Sequence, residues 1–457
     1  MKYEQNGITL IVLVITIVLM LILASVTINV SINSGLFDNA KNAKLKTEIT
    51  ELQSRLMEKQ MLNEGKNLNG KINEILGMES EYNDKLMIED SELVYIEDKW
   101  NEKNIEILEE LKIYKSKYDI YKENSETIYY IANENTLKNY EGLTNIGTLE
   151  NFRDLVNAGT FNYEQAVLIE NIELNEGKYS KNSLGEIQFA EDAIQWEPIG
   201  KSPKSFEKIF DGQGYTINGI YINTDDPTVG LFSDVNGTIK NLIVDNSYIY
   251  TTSSNAGGII ARMNNGNVLN VVNKAYVESS NSNVGGIVGY IMRPTTHILI
   301  ENCANYGEIK SNSYCGGLCG RIIIAESNIK VTIKNCYNMG NITSLDQNSN
   351  RAASIVGASG SGSIIKNVYN CGIITNNGKV KGNFGAGDLS DCYCLEGTQT
   401  NENSEQIKTK EIMKTQDFVD LLNTVTTEEE TTTTQNAWTI DTKGINKGFP
   451  ILLWQAK

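Results

Sequence analysis

The sequence predicts a mixed architecture: an N-terminal transmembrane helix, a small α+β head, then an all-β parallel solenoid over the C-terminal two-thirds. Three observations predict it. Ile8 to Ile28 carries no charge. Leu45, Ile49, Leu52 and Leu56 fall at helical spacing in an otherwise charged stretch. From Lys240 onward a pattern of two short apolar runs recurs roughly every 30 residues, which is solenoid spacing.

Composition narrows the function classes. The chain has 457 residues and a formal net charge of -17, with 57 Asp+Glu against 40 Lys+Arg. No basic stripe is available for a phosphate backbone, so no nucleic-acid partner is expected. His297 is the single histidine. It alone could serve a Ser-His-Asp triad, and no zinc site that needs two histidines can form. There are 55 Asn and 38 Gly against 5 Pro. Asn and Gly tolerate left-handed backbone, so this composition suits a chain with many tight turns.

The N-terminal run is long enough, at 1.5 Å per residue, to cross a bilayer core. A secretory signal would have a shorter apolar stretch and a small-x-small cleavage site, which Ala24-Ser25-Val26 does not supply. Asn6-Gly7-Ile8-Thr9-Leu10-Ile11, after a polar leader with Lys2, resembles a type IV prepilin signal. The resemblance implies cleavage after Gly7, methylation of Ile8, and packing of the apolar helix among pilus or pseudopilus subunits. Val12 stands where that family usually has the Glu that registers subunits. A plain single-pass membrane anchor through Ile8 to Ile28 remains the alternative.

The seam from Leu45 to Leu56 predicts an amphipathic helix that starts after the break at Asn33-Ser34-Gly35. Leu93 to Ile96 predicts a strand. Asn101 to Leu111 predicts a helix with Ile105, Leu108 and Leu111 on one face, and a further strand is expected around Tyr129-Tyr130-Ile131. The expected division is 1–36 leader and membrane helix, 37–135 pilin-like head, 136–210 linker and solenoid cap, 211–396 solenoid, and 397–457 C-terminal helix, mobile loop and cap strand.

In the array, KNLIVDNSYI from Lys240 is echoed by LNVVNKAYV, ENCANYGEI, KNCYNMGNI and KNVYNCGII. Between them stand AGGIIA, VGGIVG, CGGLCG and AASIVG. One unit cannot bury its apolar face, but stacked units can. The Gly pairs suit sharp bends or close approach of rungs.

Gly286-Ile287-Val288-Gly289 and Gly317-Leu318-Cys319-Gly320 resemble the core of the GLUG repeat. So does the run-up through Trp196 to Gly200 and Phe210 to Ile217. Thr148 to Val156 looks like the short upstream helix of such proteins, with Thr148 as N-cap. Phe418 to Asn423 and Gly448 to Leu452 look like their terminal cap. The resemblance covers about residues 145–455 and implies a right-handed parallel β-helix on a bacterial surface protein. The repeat fades near Ala352 and Gly385, and Thr424 to Gln435 is expected to be a mobile loop.

Cys303 and Cys336 occupy a position held by Leu242, Val271 and Val368 in other units, which predicts an inward core position. A disulfide between stacked Cys303 and Cys336 is the alternative. Cys371 aligns instead with Tyr306 and Met339. No metal site and no cofactor are expected. Arg262, Arg293, Arg321 and Arg351 recur along the array and could form a basic ridge for anionic glycans.

Clustered carboxylates suited to acid-base work are scarce. Certain GLUG-containing IgA-degrading peptidases use an HExxH motif, which is absent here. The expected function is therefore that of a non-catalytic, surface-displayed adhesin or structural module, with its bulk outside the cell and a glycan or host-surface ligand. The alternative is a polysaccharide-active lyase or hydrolase on the same scaffold.

Overall fold

The computed structural model describes residues 36–62, 68–346, 351–380, 383–399, 406–424 and 437–456. The leader residues Gly7, Ile8 and Val12, the apolar run to Ile28, and almost all of the Thr424–Gln435 segment lie outside the described residues. Among the described residues no helix is long and apolar enough to cross a membrane. The chain divides into two compact units at Ile120/Tyr121.

The first unit is a small α+β fold. Its helix Leu36–Leu62 buries the expected seam: Leu45, Ile49, Leu52 and Leu56 are all at most 7% exposed. They pack with Leu86, Ile88 and Leu93 of a four-stranded sheet. The expected strand forms at Glu92–Tyr95 and the expected helix at Glu102–Glu110. Asn101 caps that helix by accepting the Asn104 amide, and Leu108 is fully buried.

The second unit is a parallel β-solenoid of about five turns. Each complete turn passes through four sheets. The long sheet holds Thr238–Asp245, Asn267–Asn273, Val331–Asn338 and Ser363–Asn370 among its strands. The second sheet holds Tyr221–Thr224 through Ile374–Asn376. A third of very short strands runs from Thr228–Val229 to Ala352–Ala353, and a fourth from Phe232–Val235 to Val356–Ser359. All pairs between turns are parallel and in register.

Inward positions therefore stack into columns about 4.8 Å apart. One column is Phe210, Ile239, Val268, Ile300, Ile333 and Ile365. Leu242 and Val271 pair in another, as do Cys336 and Val368. Cys303 belongs to that column, because the Cys303 amide donates to Cys336 Sγ at 3.4 Å. All these residues are fully buried, and all seven cysteines are free thiols. Cys371, with Tyr306 and Met339, packs on the outer side of the long sheet.

Parallel pairing begins earlier than residue 211. Ile128–Ile131, expected in the head, pairs with Gln165–Leu168, which in turn pairs with Ile209–Asp211. Tyr129, Tyr130 and Ile131 are all buried, Tyr129 and Ile131 within the solenoid core and Tyr130 with Tyr121 and Val167 in a separate cluster, which suits a first half-turn covered on both faces. The helix Leu149–Ala158 is capped by Thr148, whose hydroxyl accepts the Asn151 amide. This helix buries Leu149, Phe152 and Val156 in the solenoid core.

The C-terminal segment lies on the outer face of the long sheet. Helix Gln416–Asn423 and strands Trp438–Thr439 and Ile451–Leu452 cover Tyr337 and Tyr369, both fully buried. Tyr337 Oη donates to Gln455 Oε1 at 2.8 Å, and Trp454 Nε1 donates to the Asn302 carbonyl at 3.0 Å.

Candidate ligand-binding strip

The Gly pairs place this site. At the corner between the third and fourth sheets a Cβ on Gly285 would fall 2.0 Å from the Val288 carbonyl oxygen. A Cβ on Gly286 would fall 2.3 Å from Asn305 Oδ1, inside the core. The pair is thus required by space rather than by positive φ. Beyond the corner, outward Gly289 faces third-sheet backbone, with its would-be Cβ 2.7 Å from the Ala256 oxygen. The two outer faces close on each other, and the next side chains along each sheet stand as two adjacent rows.

One row, on the fourth sheet, is Asp234, Arg262, Tyr290, Arg321 and Ala358 in strict register. The other runs along the leading edge of the third sheet and includes Asn255, Asn283, Tyr314 and Arg351, with Asn283 Nδ2 donating to Asn255 Oδ1 at 2.8 Å. The rows meet at Tyr314. Its ring lies 4.6 Å from the Arg351 guanidinium and 4.9 Å from that of Arg321. Arg321 also lies 6.0 Å from the Tyr290 ring. The result is an alternating Arg351–Tyr314–Arg321–Tyr290 stack of half-buried side chains. Each such cation–π contact contributes about 0.5–1 kcal/mol at an exposed site.

Charge compensation along the strip is uneven. Arg262 pairs with Asp234, a carboxylate only 2% exposed. Arg351 pairs with Asp346 at 3.0 Å and donates to Ser313 Oγ. Arg321 has rings on both sides and, among the described residues, makes no ion pair. It is the guanidinium with donors to spare for an anion.

The four arginines singled out in the sequence do not form one row. Arg262 and Arg321 share the fourth-sheet row two turns apart, and Arg351 joins through Tyr314. Arg293 follows strand Val288–Met292, is exposed, and adopts φ +49°. The arginine spacing does not mark Tyr290 or Tyr314, although Tyr290 stands one repeat after Arg262 and one before Arg321. His297 is exposed, and its Nδ1 accepts the Lys330 amide at 3.0 Å.

Other outward charges pair from rung to rung. Glu278 meets Lys310 at 3.1 Å, and Glu301 meets Lys334 at 3.1 Å. Such pairs between neighbouring turns reduce repulsion at little net gain in stability. Among the described residues no group of three or more His, Cys, Asp or Glu is placed to hold a metal ion. The thiols of Cys315 and Cys319 are pushed up by burial, so they stay protonated and unreactive.

These features define a parallel β-solenoid with an arginine–tyrosine surface strip. No family model matches the chain. Over 57 residues it is 44% identical to a protein of Evansella cellulosilytica described as a "Putative Gly-rich membrane protein". That match covers 12% of this chain and 7% of the relative's length. Among solved structures, a "putative immunoglobulin A1 protease" from Bacteroides ovatus superposes with a TM-score of 0.42 at 18% identity. The superposition covers 67% of this chain and 90% of that one.

Proposed function

We propose that this protein is a non-catalytic surface module whose solenoid binds an anionic glycan along the Arg351–Tyr314–Arg321–Tyr290 stack. The observation behind this reading is the stack itself. Arg321, without a carboxylate partner among the described residues, offers forked donors to a sulfate or uronate. The tyrosine rings beside it supply apolar surface with a polar tip. A solenoid repeats such surface along its axis, which suits a chain-like ligand.

The finer reading is a GLUG-type, right-handed array held at the bacterial surface by a prepilin-like N-terminus. Gly286 to Gly289, Gly317 to Gly320 and Asn6 to Ile11 support it. The membrane description of the Evansella relative points the same way over a short match. Mass spectrometry of the native N-terminus tests the anchor. A chain that begins at methylated Ile8 supports pilin-like processing and partnership with pilus subunits. An intact leader leaves a plain membrane anchor.

The binding reading is tested with the full chain against sulfated and uronate polysaccharides and their neutral counterparts. Binding should favour the anionic set, and Arg321→Ala should weaken it by about tenfold, the loss of roughly one charge-assisted contact. Unchanged affinity in Arg321→Ala and Tyr314→Ala removes the strip from the account. New reducing ends or unsaturated uronates would replace it with the polysaccharide-active enzyme.

A further inference from the structure

A second groove lies on a different face, where the C-terminal tail crosses the long sheet. Its volume is about 660 Å³, which falls within the range of small-ligand sites. The floor is apolar: Val272 is 1% exposed, and Ile243 is half-buried beside it. Trp454 and Tyr306 supply aromatic wall, and Gln213, Asn241 and Asn270 supply amides.

The groove is built and held, not left over. Trp454 is fixed by its Nε1 bond to the Asn302 carbonyl. Gln455 Oε1 accepts both the Tyr337 hydroxyl and the Leu452 amide, at 2.8 and 2.9 Å. Tyr306 shares a 2.6 Å hydrogen bond with Tyr337 Oη. Burial pushes the Tyr306 phenol up to about 12, so it remains a neutral hydroxyl at any physiological pH.

The amides are only half used. Asn270 Nδ2 donates to Asn241 Oδ1 at 2.8 Å, and Asn241 Nδ2 donates to Asp211 Oδ1 at 3.0 Å. Asn270 Oδ1 accepts from Asn302. A primary amide has two hydrogens and two lone pairs, so each of these side chains keeps one of each uncommitted. Gln213 makes no side-chain hydrogen bond among the described residues and is exposed. Lys274, the cation at this groove, is matched by Asp245 at 3.3 Å.

Uncommitted donor–acceptor amides, a fixed aromatic wall and no unmatched charge together describe a site for vicinal hydroxyls on an apolar ring. We propose that this groove binds a neutral saccharide, one to a few hexose units of a chain lying along the long sheet. The amide column advances one rung, about 4.8 Å, per turn, close to the length of one pyranose, so successive rungs would meet successive sugars. This site is separate from the arginine–tyrosine strip in position and in ligand charge.

The test is isothermal titration of the full chain with cellopentaose, maltopentaose and chitopentaose, and with hexagalacturonate for comparison. At least one neutral pentasaccharide should bind. Trp454→Ala should weaken it by about tenfold or more, and Gln213→Gly severalfold. Gly is chosen because Gln213 has φ +53°, where Ala would be strained. Should Trp454→Ala fail to fold, Gln213→Gly decides. Arg321→Ala should leave neutral-sugar binding unchanged. No binding of any neutral pentasaccharide, or equal affinity in the folded Trp454→Ala and Gln213→Gly proteins, overturns the proposal. So does hexagalacturonate binding that Trp454→Ala abolishes while neutral sugars fail. Failure of the strip reading shows separately, as anionic binding that Arg321→Ala does not change.

Discussion

Asn270 and Asn273 stand three residues apart on one strand of the long sheet and do opposite work. Asn270 sits at an outward kink with φ +57°, as do Asn241, Asn302, Asn335 and Asn367 in other turns. There the side chain stabilises a left-handed residue, and its amide ladder is half open to solvent. The ladder also tolerates a break, since Asn335 turns to Glu301 instead of Asn302. Asn273 begins an inner ladder through Asn305, Asn338 and Asn370, all fully buried. Each link there is a 2.8 Å amide–amide bond. Each Nδ2 also donates to a carbonyl two residues on. The outer ladder serves backbone conformation, whereas the inner one fills and satisfies the space that the Gly pairs leave empty. The same residue type thus has a replaceable role on one column and an irreplaceable one on the other.

The sharpest break of that comparison is Asn305→Ala. It strands the Asn273 amide and one acceptor site on Asn338, and it opens a cavity below Gly286. Buried polar groups without partners cost about 1–3 kcal/mol each, so the loss should reach about 4 kcal/mol. Urea unfolding measures it. A loss below about 1 kcal/mol would mean that the inner ladder is no more essential than the outer.

The partner of that ladder gives the next effect. A Cβ on Gly317 would meet the Ser354 oxygen at 2.2 Å and Asn338 Oδ1 at 2.6 Å. Gly317→Ser should therefore cost about 3 kcal/mol as overpacking. Ser354 occupies the equivalent position one turn later, above Asn370, and is accommodated. Among the described residues no further strand of the third sheet pairs beyond it; instead the Asn383 carbonyl accepts both the Ser354 amide at 2.9 Å and its hydroxyl at 3.2 Å. Ser354→Gly should change stability by no more than about 1 kcal/mol, the conformational cost of Gly. Equal effects at the two positions would contradict the spatial reason given for the Gly pairs.

These positions also show how far the sequence could be read. The repeat period, the inward column of Leu242, Val271, Cys303, Cys336 and Val368, and the buried helix seam at Leu45 to Leu56 were all legible. Each depends on a period kept over consecutive residues. The fading of the Gly pair at Ala352 was legible too, but its cause was not, because it lies in what stacks beyond that turn, where the Asn383 and Phe384 carbonyls accept the Ser354 and Val356 amides without forming a further strand of the third sheet among the described residues. The strand at Ile128–Ile131 was legible as a strand and not as a solenoid rung, since its partner Gln165–Leu168 lies beyond an intervening helix. Arg293 shares the approximate period of Arg262 and Arg321 but falls outside the sheet, because turns differ in length and only register separates them. The saccharide groove joins residues 213–306 to residues 445–455, a contact over a sequence distance that no local pattern reports.

On the outer ladder, Asn270→Ala should cost about 2 kcal/mol, from a left-handed residue without Asn or Gly and one lost amide bond. Asn270→Gly should recover most of that, because Gly tolerates φ +57° at no steric cost. A conformational role predicts this rescue by Gly. At Asn305, Gly should be as damaging as Ala. If Gly failed to rescue position 270, the outer ladder would be held by its side-chain bonds and the contrast between the columns would shrink.

The smallest effect is expected one residue from the kink, at Cys303. Its side chain is fully buried and its Sγ donates to the Glu301 carbonyl at 3.2 Å, which is a weak bond. The column accepts Val271 on one side and, two turns on, Val368. Cys303→Val should therefore change stability by less than about 1.5 kcal/mol, as volume-conserving core swaps do. Cys303→Val, Cys336→Val and the double variant should remain folded, with near-additive effects apart from the contact the two share. Measured by urea unfolding with and without reductant, the parent should show no difference if both thiols stay free. A reductant-dependent loss of stability in the parent, absent from the double variant, would mean that neighbouring rungs are crosslinked. This column would then depend on a covalent bond where the asparagine column beside it depends on hydrogen bonds alone.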